Sequence, residues 1–192
     1  MQALLALARL IDGFNDRFGA LAKWAVILAC FISAGNAFVR YGLDISSNGW
    51  LEIQWYLFAA CVMLGAAQVL RLNEHVRVDL FYGKLSSRGR VWVDLLGMAF
   101  FLLPSMGVLL YFSWPMFMGM LHSGEMSSNA GGLIRWPAML TLPLGFGLVI
   151  LQGISEIIKR IGWLTHTYEM DIHYERPLQC AWRTSPRSCL PG

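Results

Sequence analysis

The stretch Asn73-Glu74-His75-Val76-Arg77-Val78-Asp79-Leu80-Phe81-Tyr82-Gly83-Lys84-Leu85-Ser86-Ser87 decides how the chain is read. It is the longest dense run of polar and charged residues ahead of the C-terminal tail, and long apolar stretches flank it. A charge in the hydrocarbon of a bilayer is expensive. The run therefore lies outside the hydrocarbon, between two membrane helices.

Composition agrees. Of 192 residues, 56% are hydrophobic and 14% charged, with mean hydropathy +0.51. A soluble domain carries roughly 25% charged residues. The net charge of +3 is too small to point to a nucleic-acid partner. Cys30 and Cys61 lie in apolar runs, where cysteine packs as a small side chain. His166, His173, Cys180 and Cys189 have spacings that match no compact metal-ligand pattern, so no metal is expected.

Outward from the central run, hydropathy predicts an all-α membrane domain over residues 1–165. Its four spans fall near residues 21–39, 51–70, 91–120 and 138–158. Residues 1–20 are amphipathic: Leu4, Leu7, Ile11, Phe14 and Phe18 recur at helical spacing, with Arg9, Asp12, Asn15, Asp16 and Arg17 between them. That pattern fits a helix on the membrane surface, and equally a cytosolic extension of the first span. The first span is expected to be retained rather than cleaved as a signal peptide.

Within the central run, Val76, Val78 and Leu80 alternate with Arg77 and Asp79, which predicts a short extended segment and then an interfacial turn or helix. Ser86 or Ser87 is placed to cap the third span. Pro104 and Pro115 are placed to kink that span. Residues 166–192 lack apolar periodicity and are expected to form a poorly ordered cytoplasmic tail.

Counting Lys and Arg between the apolar cores gives thirteen on one side, namely Arg9, Arg17 and Lys23 near the N-terminus, Arg71, Arg77, Lys84, Arg88 and Arg90 around the central run, and Lys159, Arg160, Arg176, Arg183 and Arg187 from the end of the fourth span onward, against Arg40 and Arg135 in the two other loops. The positive-inside rule then puts both termini and the central run in the cytoplasm. Trp24, Trp92 and Trp163 mark the inner interface under this topology, and Trp50, Trp55, Trp114 and Trp136 the outer one.

The spans offer little chemistry. Asn36, Gln68, Ser105, Ser113, Thr141 and Gln152 are their main polar residues, thin material for a substrate path. A haem would need histidines facing each other inside the spans, and His75 and His122 fall on opposite sides. No Ser-His-Asp grouping, phosphate loop or zinc-protease motif is present, so neither an enzyme nor a cofactor is expected. Ala25, Ala29, Ser33 and Ala37 recur every fourth residue and form a ridge of small side chains suited to a close helix contact. Glu74, Arg77 and Asp79 can pair among themselves or with a partner, or can simply be a solvated loop.

The run Glu74-His75-Val76-Arg77-Val78-Asp79-Leu80-Phe81, then Leu85-Ser86 and Arg90-Val91-Trp92-Val93-Asp94, resembles the signature of the small permease (DctQ-type) subunit of tripartite ATP-independent periplasmic (TRAP) transporters. Glu52 and Leu142-Pro143-Leu144-Gly145-Phe146 resemble it too. The likeness runs from about residue 10 to residue 165 and does not extend to the tail. It implies four membrane helices in a bacterial inner membrane. It implies a large permease subunit and a periplasmic substrate-binding protein as partners, besides membrane lipid. The implied role is to stabilise the large subunit during sodium-driven uptake of an organic acid. On that reading Glu52, Glu74, His75, Arg77, Asp79, Arg88 and Arg90, with the Ala25/Ala29/Ser33/Ala37 ridge, are candidates for anchoring or partner contact. The alternatives are a stand-alone membrane redox or enzyme subunit and a small independent channel or exporter.

Overall fold

The structure is a computed structural model that describes residues 2–44, 47–72, 86–129, 131–166 and 168. Among the described residues there are four helical rods, each long and apolar enough to cross a membrane. They are α1 (Gln2–Leu43), α2 (Asn48–Leu72), a third rod, and α5 (Trp136–Leu164). The third rod is composite: α3 (Ser87–Gly97), a π-turn (Met98–Leu102) and α4 (Leu103–Ser123). The rods run alternately up and down, so the start of α1 and the end of α5 lie at one end, here the terminal end. The opposite end is the loop end.

The first rod is a single helix. It runs from Gln2 to Leu43 with no break near residue 20. At ~1.5 Å per residue its 42 residues measure about 63 Å, twice the roughly 30 Å of bilayer hydrocarbon.

Sequence explains the joints. Ser86 is the N-cap of α3, its Oγ accepting from the Gly89 N–H at 3.3 Å. The π-turn lies immediately ahead of Pro104, where Leu103 N–H donates to Met98 O. Pro104 has no N–H, and its ring crowds the carbonyl four residues back, so a wider turn relieves the ladder there. Gly124, at φ 61°, ends α4 in the left-handed conformation that glycine adopts most easily.

α5 is the hub and touches each of the other rods, while α1 packs along α2. The core joins Ala67 and Leu70 of α2 to Met98 of the π-turn and to Leu148 and Val149 of α5. Lipid is as apolar as these side chains, so close packing rather than water exclusion holds the rods together. Glycine makes that possible. A Cβ on Gly145 would stand 2.7 Å from Met63 Cβ and 2.8 Å from Met63 O, so α2 and α5 cross with their backbones nearly touching. Pro143 and Gly145, both buried, belong to the stretch quoted above for its family likeness. The third rod leans mainly on α5 and leaves Phe100, Phe101, Tyr111 and Phe112 exposed.

Candidate functional site

Two polar clusters, one at each end of the bundle, hold nearly all its long-range side-chain hydrogen bonds.

The larger cluster lies at the terminal end and is built from helical spacing. On α5, Gln152, Ser155, Glu156, Lys159 and Arg160 recur at steps of three and four, so they share one face. On α1, Asp12, Asn15 and Asp16 do the same. The two faces meet. Asn15 Nδ2 donates to Gln152 Oε1 at 2.7 Å, and Gln152 Nε2 donates to Asp12 Oδ1 at 3.0 Å. Ser155 Oγ donates to Asp12 Oδ1 at 2.8 Å. Lys159 Nζ lies 2.7 Å from Asp12 Oδ2 and 2.7 Å from Glu156 Oε1. Arg160 reaches Glu156 Oε2 at 2.7 Å and, across to α3, Asp94 Oδ2 at 3.3 Å. Arg71, at the end of α2, pairs with Asp16 and donates to Asp12 O at 3.4 Å.

All four rods are thus tied by charge at this end. Asn15, Gln152 and Ser155 are 0% exposed and Arg160 1%. Burying such groups is tolerable only because each charge meets an opposite one and further hydrogen bonds. Sequence reasoning missed the cluster. Lys159 and Arg160 read as positive charges ending a span, yet the polar stripe at three-four spacing on α5 was the available signal.

The second cluster lies at the loop end, around Glu52 in the first turns of α2. Glu52 Oε1 accepts from Ser127 Oγ and from Asn129 Nδ2 at 2.8 Å, and Oε2 accepts from Leu133 N–H at 2.7 Å. One turn on, Tyr56 OH donates to Ile134 O at 3.3 Å. The loop is a compact hairpin. Met126 and Ile134 face each other in an antiparallel bridge, Ser127 N–H donates to Leu133 O at 2.9 Å, and Arg135 pairs with Glu125 at 2.7 Å. What the sequence offers only as a Gly/Ser-rich loop is therefore ordered around one buried carboxylate. From Glu52 to Arg71 is nineteen residues of α2, about 28 Å at ~1.5 Å per residue. That matches the roughly 30 Å of bilayer hydrocarbon, so the two clusters bracket one membrane thickness.

The remaining candidates are dispersed. Ala25 and Ala29 are buried, Ser33 is half-buried and Ala37 exposed, so the small-residue ridge meets neighbours of this chain over only part of its length. Arg88 is exposed, its Nη2 3.5 Å from His166 Nε2, and Arg90 is half-buried and partnered. Glu74, His75, Arg77 and Asp79 lie outside the described residues, as do His173, Cys180 and Cys189. Among the described residues no three His, Cys, Asp or Glu side chains gather closely enough for a metal ion.

Three hydroxyls of the third and fourth rods are spent locally. Ser105 Oγ donates to Phe101 O at 2.6 Å, Ser113 Oγ to Leu110 O at 3.1 Å and Thr141 Oγ1 to Ala138 O at 2.6 Å.

No curated protein and no solved structure matches the chain. A family model does: the DctQ component of tripartite ATP-independent periplasmic transporters, over residues 17–162 of the 192. The matched region takes in part or all of each rod, and both polar clusters except Asp12, Asn15 and Asp16; with four helices able to cross a membrane among the described residues, the chain belongs to that family, the small membrane component of these transporters.

Proposed function

We propose that the chain is a static scaffold subunit. It packs against the large permease and supports sodium-driven uptake of an organic acid delivered by a periplasmic binding protein. The observation that carries this reading is the distribution of polar groups. Among the described residues they collect in two clusters about one membrane thickness apart, and the hydroxyls between the clusters on the third and fourth rods, Ser105, Ser113 and Thr141, are spent on their own helices. Moving an ion or a carboxylate through this chain would need uncommitted polar groups at mid-depth. The terminal end is the cytoplasmic one on this reading, in keeping with the thirteen-to-two split of Lys and Arg. The segment from Glu74 to Asp79 then lies at the inner interface as an anchoring element, together with Arg88 and Arg90.

Co-purification tests the reading. The large permease should be recovered with the wild-type chain. Recovery should fall for Arg77→Ala and Asp79→Ala at matched expression, and stay near wild type for Lys84→Ala. Unchanged recovery and uptake for Arg77→Ala and Asp79→Ala would remove the segment from the assembly.

A further inference from the structure

The polar face of α1 turns inward at the terminal end, and this leaves an unusual outer surface. Leu7, Leu10, Phe14, Leu21 and Trp24 form a ridge on the side of α1 away from the bundle, 47%, 72%, 47%, 56% and 63% exposed. Arg17 is exposed on the same ridge, and Arg9 and Lys23 are exposed beside it. None of these three makes an ion pair among the described residues. The carboxylates are elsewhere: the side chains of Asp12, Glu156 and Asp94 are only 13%, 8% and 11% exposed, and Asp16 is held by Arg71. Among the described residues, the outer face of α1 at this end thus carries apolar side chains and cations, while the carboxylates are paired with Lys159, Arg160 and Arg71. A surface facing water has the opposite arrangement, and a ridge of this size implies a cover.

We propose that the cover is lipid, and that this surface is a binding site for anionic phospholipid headgroups. The argument is complementarity. Apolar side chains suit the boundary between headgroups and acyl chains, and unpaired guanidinium groups beside them suit phosphate. Phe14 lies level with the buried polar cluster, next to Asn15. Arg9 lies five residues further along α1, about 8 Å at ~1.5 Å per residue, which is a headgroup's depth. Arg17 lies on the membrane side, and its long stem lets the guanidinium reach back to the same layer. Among the described residues, Asp12, Glu156 and Asp94 are turned inward and the half-exposed Asp16 is neutralised by Arg71, so little negative charge faces this surface. The inference rests on the chain's membrane placement and is independent of sodium-driven transport.

The test uses the transporter assembled with its large permease in lipid nanodiscs. Cys30, Cys61, Cys180 and Cys189 are replaced by Ala, and a spin label is attached through Leu10→Cys. Oxygen should relax the label strongly while a water-soluble nickel chelate does not. Relaxation by nickel would place the ridge in water, and protection from both agents would place it under a protein; either result overturns the proposal. In a second arm the wild-type complex is extracted from nanodiscs of mixed phosphatidylcholine and phosphatidylglycerol, and retained lipid is weighed by native mass spectrometry. The wild type should retain phosphatidylglycerol preferentially. Arg9→Ala combined with Arg17→Ala should reduce that preference by on the order of tenfold. An equal preference in the wild type and the double variant would overturn the headgroup site even if the ridge faces lipid.

Discussion

Lys159 of α5 and Asp12 of α1 form an ion pair at 2.7 Å between the last turns of one helix and the first turns of another, 147 residues apart in sequence. The pair has a second member on the basic side's own helix, because Lys159 also lies 2.7 Å from Glu156. It lies at the centre of the terminal cluster, beside the 2.7 Å hydrogen bond from Asn15 to Gln152.

Breaking it from one side strands a charge. Asp12→Ala or Lys159→Met should destabilise the chain by about 3–5 kcal/mol, the usual consequence of leaving one partner of a buried pair alone. Asp12→Leu combined with Lys159→Met should recover much of the loss. Thermal unfolding in nanodiscs measures all three. Additive losses in the double variant would mean that the two residues do not interact.

Glu52 should behave as an organiser of the loop rather than as a stabiliser of the span. Glu52→Ala leaves Leu133 N–H and the Asn129 amide without their acceptor. Hydrogen exchange over residues 124–135 should speed up markedly while α2 stays protected. Slow exchange in that loop in the variant would show that the hairpin stands without the carboxylate.

The crossing of α2 and α5 predicts a position-specific cost. Gly145→Leu drives a side chain into Met63 and should destabilise by about 1–3 kcal/mol or force the rods apart. Gly147→Leu is the control, since nothing lies within 4 Å of a Cβ there. Equal melting of the two variants would contradict the close approach.

The positions of the loops predict a labelling pattern. In a chain without other cysteines, Ser46→Cys and Ser128→Cys should react with an impermeant maleimide in intact cells, and Ser86→Cys should not. Labelling at Ser86→Cys from outside would invert the topology.

The four rods were legible in sequence because charge is scarce in the spans and dense between them. A serine cap at Ser86 or Ser87 was legible, since a hydroxyl just ahead of an apolar helix has few other uses, and Ser86 is the one that caps. The terminal cluster was not. Gln152, Ser155, Glu156 and Lys159 lie at the end of a span, where a polar stripe reads equally well as a solvated face, and periodicity does not say which face turns inward. Asp12 and Asn15 posed the same ambiguity on α1: their helical spacing was visible, but the apolar side, rather than the polar one, points away from the bundle. Glu52 was noticed for its position, yet its partners lie 75 to 81 residues away in a loop with no periodic signal. Gln152 shows the practical consequence. In the sequence it reads only as thin material for a substrate path; its hydrogen bonds to Asn15 and Asp12 make it part of the lock between α1 and α5.

The central claim is that this chain supports the transport path without lining it. The direct measurement is the sodium dependence of uptake by the assembled transporter in proteoliposomes, for the wild type, Asn36→Ala, Ser113→Ala and Thr141→Ala at equal subunit levels. The account predicts the same sodium midpoint and the same substrate affinity for all four. A shifted sodium midpoint in any variant that assembles normally would contradict it.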